Sequence, residues 1–286
     1  MKIFSPAKVN LFLKITQKRS DGYHELETIM QKIDFGDFIE ISFNSSSKIT
    51  IECNNPEVPP DSSNIIWKVI EIFYKESKIK FTGIHVNLNK KIPVGAGLGG
   101  GSSNAITFLK ALNNHYNNLL IDSKLLEIAS AIGSDTAFFL KDGTWLCTGR
   151  GEKLIRNVKS KKWTFLLIFP DFKCLTKKVY SNFIFDLTKS APEPSLLTTN
   201  LDKASSEELE QYLYNNLRDA AFKSYNQMKD LVERIEKKTT KKVLISGSGS
   251  TMFMIFDDDC QAIQEKSFLE TEFKENIQFF IAHTLN

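Results

Sequence analysis

Five glycines fall within seven residues, Gly95, Gly97, Gly99, Gly100 and Gly101, and run directly into Ser102 and Ser103. Glycine loses more backbone freedom on folding than any other residue. A cluster this dense marks a backbone that must bend sharply and meet something closely. Before it, Ile84-His85-Val86-Asn87-Leu88 is apolar at alternate positions, the period of a strand. After it, Ser103 to Leu112 carries apolar residues at helical spacing. A strand, a glycine loop and a helix start make an anion site, because free backbone N–H groups and the positive end of the helix dipole converge there. Phosphate is the expected guest.

Three readings of the loop compete. A plain turn needs one or two glycines, not five. Gly95-x-Gly97-x-x-Gly100 matches a dinucleotide fingerprint, which also wants a second parallel strand ending in an acidic residue about 20 positions on. Asp122 after Leu119-Leu120-Ile121 is the nearest match, although Asp122 reads better as a helix N-cap. The preferred reading is a nucleoside triphosphate loop that is not a Walker A, since no Gly-Lys-Ser/Thr follows.

The remaining bulk properties exclude several classes. With 286 residues, 42% apolar and 25% charged, the chain has the balance of a globular protein of one large or two ordinary domains. A net charge of +3 is too mild for an electrostatic nucleic-acid footprint. Cys53, Cys147, Cys174 and Cys260 are far apart, so zinc spacing is absent and free thiols in a reducing cytosol are expected. No signal peptide and no membrane-spanning run is seen. The expected class is a cytoplasmic protein, a monomer or weak homodimer, with no nucleic-acid or membrane partner.

Periodicity divides the chain. Strands are expected over 8–16, at Ile39 to Phe43, at Ile49 to Cys53, at Thr144 to Thr148 and at Trp163 to Phe169. Asn64 and Asp122 are expected to cap helices, the second stopped by Gly133. The charged stretch from Arg150 to Lys162 reads as a boundary. Beyond it, helices are expected near 176–186, 206–217 and 219–237, with Ser205-x-x-Glu208 as a capping box. Residues 190–195 read as a loop. A strand-turn-strand follows across Val243 to Phe256, then a short helix and a strand from Ile277 to Ala282. The fold class is α+β with two domains, 1–155 carrying the glycine loop and 156–286.

Four constellations could do chemistry. On the strand over 8–16, Val9, Leu11 and Leu13 share one face, so Lys8 and Asn10 share the other and could point into a cleft or simply into solvent. In Gly133-Ser134-Asp135-Thr136-Ala137-Phe138-Phe139, Asp135 is either a helix N-cap or a carboxylate that orients or deprotonates a hydroxyl nucleophile. Asp21-Gly22 is a turn that presents Tyr23 and His24, suited to a planar ring or to solvent. Ser246-Gly247-Ser248-Gly249-Ser250 is a hairpin turn or a second backbone approach to a ligand.

These pieces, in this order, resemble the GHMP kinases over almost the whole chain, from near residue 3 to near residue 256. The segments that carry the resemblance are Ser5-Pro-Ala-Lys-Val-Asn-Leu, Arg19-Ser-Asp-Gly-Tyr-His-Glu, Ile92-Pro-Val-Gly-Ala-Gly-Leu-Gly-Gly-Gly-Ser-Ser and Gly133-Ser-Asp-Thr-Ala-Phe-Phe. The two amino-terminal segments narrow it to the branch whose alcohol substrate is a cytidine diphosphate sugar-alcohol; kinases of mevalonate or homoserine, or a silent nucleotide sensor, are the alternatives. The resemblance implies a two-domain fold with the ATP and substrate site in the cleft between the domains. It implies that Pro93, Val94, Gly95, Ala96, Gly97, Leu98, Gly99, Gly100, Gly101, Ser102 and Ser103 hold the ATP phosphates, with Mg2+ ligands undefined beyond an oxygen from Ser102 or Ser103. Asp135 would act on the substrate hydroxyl, with Lys8 paired to it and stabilising negative charge. Asn10 would contact substrate, and Tyr23, His24 and Tyr180 would hold the cytosine, the base lying between the two tyrosines. Two departures stand out: Asn104 where the family usually has Asp, and Ala137 where Pro is usual.

Overall fold

The structure is a computed structural model that describes residues 1–185, 191–274 and 276–286. Its contacts divide the chain into two units, each discontinuous in sequence. The first comprises Met1–Ala7, Phe35–Val94 and Gly99–Asp142; the second comprises Lys8–Asp34, Gly95–Leu98 and Gly143–Asn286. Two long strands, β1 (Lys2–Lys18) and β2 (His24–Asn44), contribute residues to both. The expected strand over 8–16 is therefore the middle of β1, and the one at Ile39 to Phe43 is the end of β2.

In the first unit, β4 (Gly83–Asn89) pairs antiparallel with the end of β2, Ile39 opposite Leu88 and Ile41 opposite Val86. It pairs in parallel with β3 (Ile49–Cys53). The alternation read from the sequence is the pleat, since Ile84, Val86 and Leu88 are all buried. Helix α1 (Ile65–Ser77) begins where the Asn64 side chain accepts from Ile66 N, and buries Ile66, Val69, Ile70 and Phe73. Helix α2 (Gly100–His115) buries Ile106, Phe108, Leu109 and Leu112. Helix α3 (Asp122–Ile132) is capped by Ile121, so Asp122 is its first residue and not its N-cap. Its carboxylate faces the positive helix end from within the first turn. Gly133 ends α3 as expected, and a 3-10 turn, Ala137–Leu140, follows.

The second unit holds β5 (Thr144–Gly149), antiparallel to the first half of β2 with Thr28 opposite Cys147, and β6 (Lys153–Val158), antiparallel to β5. Strand β6 lies inside the stretch read as a boundary. Most of its residues face outward, Lys153 and Arg156 among them, and outward charges protect an edge strand and hide it from a hydrophobic pattern. Then come β7 (Thr164–Pro170), α4 (Thr176–Ser181), α5 (Pro194–Asn200), α6 (Ser206–Glu210), β8 (Tyr214–Asn215), α7 (Arg218–Ser224), α8 (Asn226–Glu236), β9 (Leu244–Ile245), β10 (Met252–Phe256), α9 (Asp259–Glu272) and β11 (Ile277–His283). An antiparallel sheet runs β11-β7-β10-β9. Its core joins Leu166, Ile168, Met252 and Met254 to Met228, Val232 and Ile235 of α8.

The helix expected over 206–217 ends at Glu210, and within its remainder Tyr214–Asn215 form β8, parallel to β1. Asn216 accounts for the change: its N donates to Leu13 O and its Oδ1 accepts from Ile15 N. Asparagine readily trades a helical bond for such side-chain bonds. The capping box of Ser205 and Glu208 is present. The helix expected over 219–237 breaks at Tyr225, whose extended backbone takes its hydroxyl to Leu175 N, 2.8 Å away. Residue 186 of the helix expected near 176–186, and residue 190 of the expected loop, lie outside the described residues; α5 begins at Pro194.

Candidate active site

Gly95–Leu98 of the glycine loop belong to the second unit and are held by bonds within it. Ala96 O accepts from Thr251 N at 3.1 Å, Leu98 O from Lys8 N at 3.0 Å, and Gly97 O from Ser246 Oγ at 2.9 Å. Gly97 has a φ of +81°, and a Cβ there would lie 2.1 Å from Ser246 O, so no side chain fits. The 246–250 turn lies between β9 and β10 and is bonded by Asn215 Nδ2 to Gly247 O at 2.7 Å. It is the hairpin turn that the sequence allowed, and it also supports the glycine loop through Ser246.

At Gly99 the chain enters α2 with φ +68° and no side-chain cap. Ser103 N makes the first intrahelical bond, to Gly99 O, which leaves the N–H groups of Gly100, Gly101 and Ser102 without carbonyls in their own helix. The first turn carries no acidic residue to cancel the positive end. This geometry fits an anion. Ser103 is fully buried with its hydroxyl 2.9 Å from Ser5 Oγ, whereas Ser102 is half-buried.

Beneath the helix start lies a buried polar network that sequence reasoning missed. Asp37 is fully buried; its carboxylate accepts from Lys91 N at 2.7 Å, Ile92 N at 2.8 Å, Asn104 Nδ2 at 2.9 Å, and from Lys90 Nζ. Asn104 Nδ2 also donates to Ser5 Oγ, and its Oδ1 accepts from Lys90 Nζ, both at 2.9 Å. Asn104 must donate here, which an ionised aspartate could not do. The departure from the family pattern therefore has a structural reason. The lysine pair before the loop and the Gly36-Asp37 step within β2 were the sequence signals.

Lys8 and Asn10 are each 5% exposed, not solvent-facing. Lys8 Nζ donates to Asn10 Oδ1 at 2.5 Å and to Gly97 O at 2.7 Å. The strand's polar face thus meets the loop. Asp135 is half-buried in the first unit. It is not a cap, since Thr136 is the N-cap of the following turn. Thr136 Oγ1 lies 2.8 Å from Gly133 O and also bonds Ala129 O, while Ala137, Phe138 and Phe139 are buried. Ala137 in place of proline leaves this turn well anchored. A Cβ on Gly133 would sit 3.9 Å from Ser102 Oγ, so the turn and the α2 start are neighbours.

Of the ring-binding candidates, all in the second unit, the structure brings His24 and Tyr180 together, while Tyr23 meets Arg150 instead. Arg19 holds the β1–β2 turn by bonding Asp21 and Glu25, and Tyr23 lies 53% exposed with the Arg150 guanidinium 5.1 Å from its ring. His24 and Tyr180 have ring centroids 5.3 Å apart, with Phe183 edge-on to His24 at 6.1 Å. Burial, helped by the Lys18 charge, holds the His24 pKa below its usual value, which favours a neutral ring. Thr176 Oγ1, at the start of Tyr180's helix, lies 3.0 Å from Ser248 Oγ. Among the described residues no cluster of three or more His, Cys, Asp or Glu could hold a metal, and no helix is long and apolar enough to cross a membrane. The dinucleotide reading fails, because α2 is followed by α3 and Asp122 lies in a helix.

An uncapped helix start and a neighbouring carboxylate turn in the first unit, and a buried lysine at the glycine loop in the second, are groups of the kinds that phosphoryl transfer uses. Family comparison agrees. Residues 64–143 match the GHMP kinases N terminal domain and 197–275 match the GHMP kinases C terminal. The chain belongs to the GHMP kinases, ATP-dependent enzymes acting on small molecules. Within that family it is 36% identical, over 100% of its length and 97% of the relative's, to 4-diphosphocytidyl-2-C-methyl-D-erythritol kinase of Fusobacterium nucleatum subsp. nucleatum. It is 37% identical to the kinase of the same name from Persephonella marina, over 87% of this chain and 89% of that one. A crystal structure of 4-(cytidine 5'-diphospho)-2C-methyl-D-erythritol kinase superposes with a TM-score of 0.80 at 26% identity, covering 99% of both chains. Homoserine kinase from Cytophaga hutchinsonii shares the fold, with a TM-score of 0.75 at 18% identity over 99% of this chain and 94% of that one.

Proposed function

We propose that this kinase transfers the terminal phosphoryl group of ATP to the 2-hydroxyl of 4-diphosphocytidyl-2-C-methyl-D-erythritol, in the non-mevalonate route to isoprenoid precursors. The full-length similarity to kinases of that name supports the substrate. The observation that carries the chemistry is Lys8: a buried ammonium tied to Gly97 O at 2.7 Å sits against the loop that opens onto the helix start.

The roles follow from the chemistry of each group. Residues Pro93 to Ser103 would hold the ATP phosphates through backbone N–H groups. Mg2+ favours oxygen ligands and keeps several waters; the Ser102 hydroxyl suits it better than Ser103, whose hydroxyl is engaged by Ser5. When bound, the ion neutralises charge on the phosphates. Asp135 would orient the 2-hydroxyl and take its proton as the new O–P bond forms and ADP departs. Lys8 would stabilise the negative charge on the transferred group. Asn10 would bind substrate, and Tyr23, His24 and Tyr180 would hold the cytosine, with a neutral His24 able both to donate and to accept. The 155/156 division between family domains, a cytoplasmic location and a monomer or weak homodimer complete the proposal.

The test is product identity. Incubation with ATP, Mg2+ and the cytidine substrate should yield ADP and a new phosphomonoester signal in the phosphorus spectrum, with the diphosphate bridge unchanged. Asp135→Ala should bind ATP and form no product. Product formation by that variant near the wild-type rate would refute the role of Asp135.

A further inference from the structure

We infer that Thr28, on β2, is a positioning residue that sets the orientation of the Asn10 amide and through it holds Lys8 as a donor at the glycine loop. The inference rests on the kinase reading above. Four bonds carry it. Thr28 Oγ1 donates to Phe12 O at 2.7 Å, Asn10 Nδ2 donates to Thr28 Oγ1 at 2.9 Å, Lys8 Nζ donates to Asn10 Oδ1 at 2.5 Å, and Lys8 Nζ donates to Gly97 O at 2.7 Å. Thr28, Asn10 and Lys8 are 2%, 5% and 5% exposed, so bulk water does not supply alternatives.

The direction of the chain is forced. A carbonyl only accepts, so the single hydroxyl proton of Thr28 goes to Phe12 O. The Thr28 oxygen is then left as an acceptor, and only the NH2 end of the Asn10 amide can meet it. That puts the carbonyl end of Asn10 toward Lys8, which as an ammonium only donates. With the amide turned over, NH2 would face NH3+ and the Thr28 oxygen would lose its donor. A buried polar group left unpaired is costly. Thr28 therefore selects one of two amide orientations, and the selected one keeps Lys8 against Gly97 O. Valine at 28 would keep the branched shape that a strand favours and lose the selection.

Steady-state kinetics on wild type, Thr28→Val, Thr28→Ser, Asn10→Ala and the Asn10→Ala/Thr28→Val double variant test this. Thr28→Val should lower kcat on the order of 10- to 100-fold with the KM for ATP within about twofold of wild type, because the loss falls on the charge-stabilising group. Thr28→Ser should recover kcat to within about threefold, since it restores the hydroxyl. The double variant should be no slower than Asn10→Ala, as groups acting in series are not additive. Wild-type kcat in Thr28→Val, or additive losses in the double variant, would overturn the inference. Hydrogen exchange of the Asn10 side-chain amide in the wild-type protein needs neither a variant nor turnover. One protected amide proton is expected, and two freely exchanging protons would overturn the inference. Absence of wild-type turnover would instead refute the assigned substrate, and the exchange result would decide the role of Thr28 by itself.

Discussion

A carboxylate removed from water must be bonded on every side, and Asp37 meets that demand with two backbone N–H groups, an ammonium and the Asn104 amide. The arrangement fixes the approach to the glycine loop at residues 90–92 and the first turn of α2 at one point. It also ties Ser103 in place through Ser5. Asn104 is the member most sensitive to a small change. Asn104→Asp replaces a donor 2.9 Å from Asp37 Oδ2 with a second carboxylate. The variant should lose about 2–4 kcal/mol of stability at pH 7, because Asp37 and Ser5 lose the amide donor and two buried carboxylates then share the Lys90 ammonium. Urea unfolding at pH 7 measures it, and a loss below about 0.5 kcal/mol, the size of a surface change, would contradict this network. Little of this was legible in the sequence. Asn104 was visible as a departure, but Asp37 lies 67 positions away and nothing local announces the pair. Thr28 was hidden in the same way, since its partner Asn10 is brought to it by strand pairing and not by spacing.

At the scale of elements, β11 is fastened by a histidine between two carboxylates. His283 Nδ1 lies 2.7 Å from Asp34 Oδ2 on β2, and Nε2 lies 2.9 Å from Asp259 Oδ1 at the start of α9. Thr164 of β7 donates to the same Asp259 oxygen at 2.8 Å. Both ring nitrogens face acceptors, so the imidazolium satisfies both bonds at once. Burial alone would lower the His283 pKa, but the bonds to Asp34 and Asp259 outweigh it and raise the pKa above its usual value. A raised pKa means that the folded protein holds the proton more tightly than the unfolded chain. The stabilisation is complete below the unfolded value of about 6.5. It is lost as pH rises through the higher folded value. His283→Gln should therefore be most destabilising below about pH 6 and progressively less so toward pH 9, as followed by thermal unfolding. An equal loss at every pH would contradict the charged clamp. Legibility at this scale was uneven for physical reasons. Strongly periodic elements such as α1 and β4 were read correctly because one face is buried. Helix α6 was read too long because Leu209, Leu213 and Leu217 are all buried and spaced by four, even though only the first lies in a helix. Strand β6 was missed because its charged residues face out.

For the whole molecule, the α+β class and the family were readable because the site segments are contiguous. The glycine loop, the Lys8 strand, the Tyr23-His24 turn and the Asp135 turn each occupy one short stretch of chain. The structure adds what contiguous motifs cannot carry: the hydrogen-bonded supports that bring Lys8 to Gly97 O, the 246–250 turn beneath the loop, and Tyr180 beside His24. Those contacts join residues far apart in sequence, so they follow from topology. They also divide the possible substrates. On the proposed roles, the paired rings of His24 and Tyr180 would serve a cytidine substrate and would have no use for mevalonate or homoserine, whose kinases share this fold. The most direct measurement is therefore a coupled ADP-release assay with ATP and Mg2+, run in parallel on 4-diphosphocytidyl-2-C-methyl-D-erythritol, mevalonate and homoserine. Turnover with the cytidine substrate alone, lost in His24→Ala mainly through a raised KM for that substrate, is the expected result. Turnover with mevalonate or homoserine, or with none of the three despite ATP binding, would contradict it.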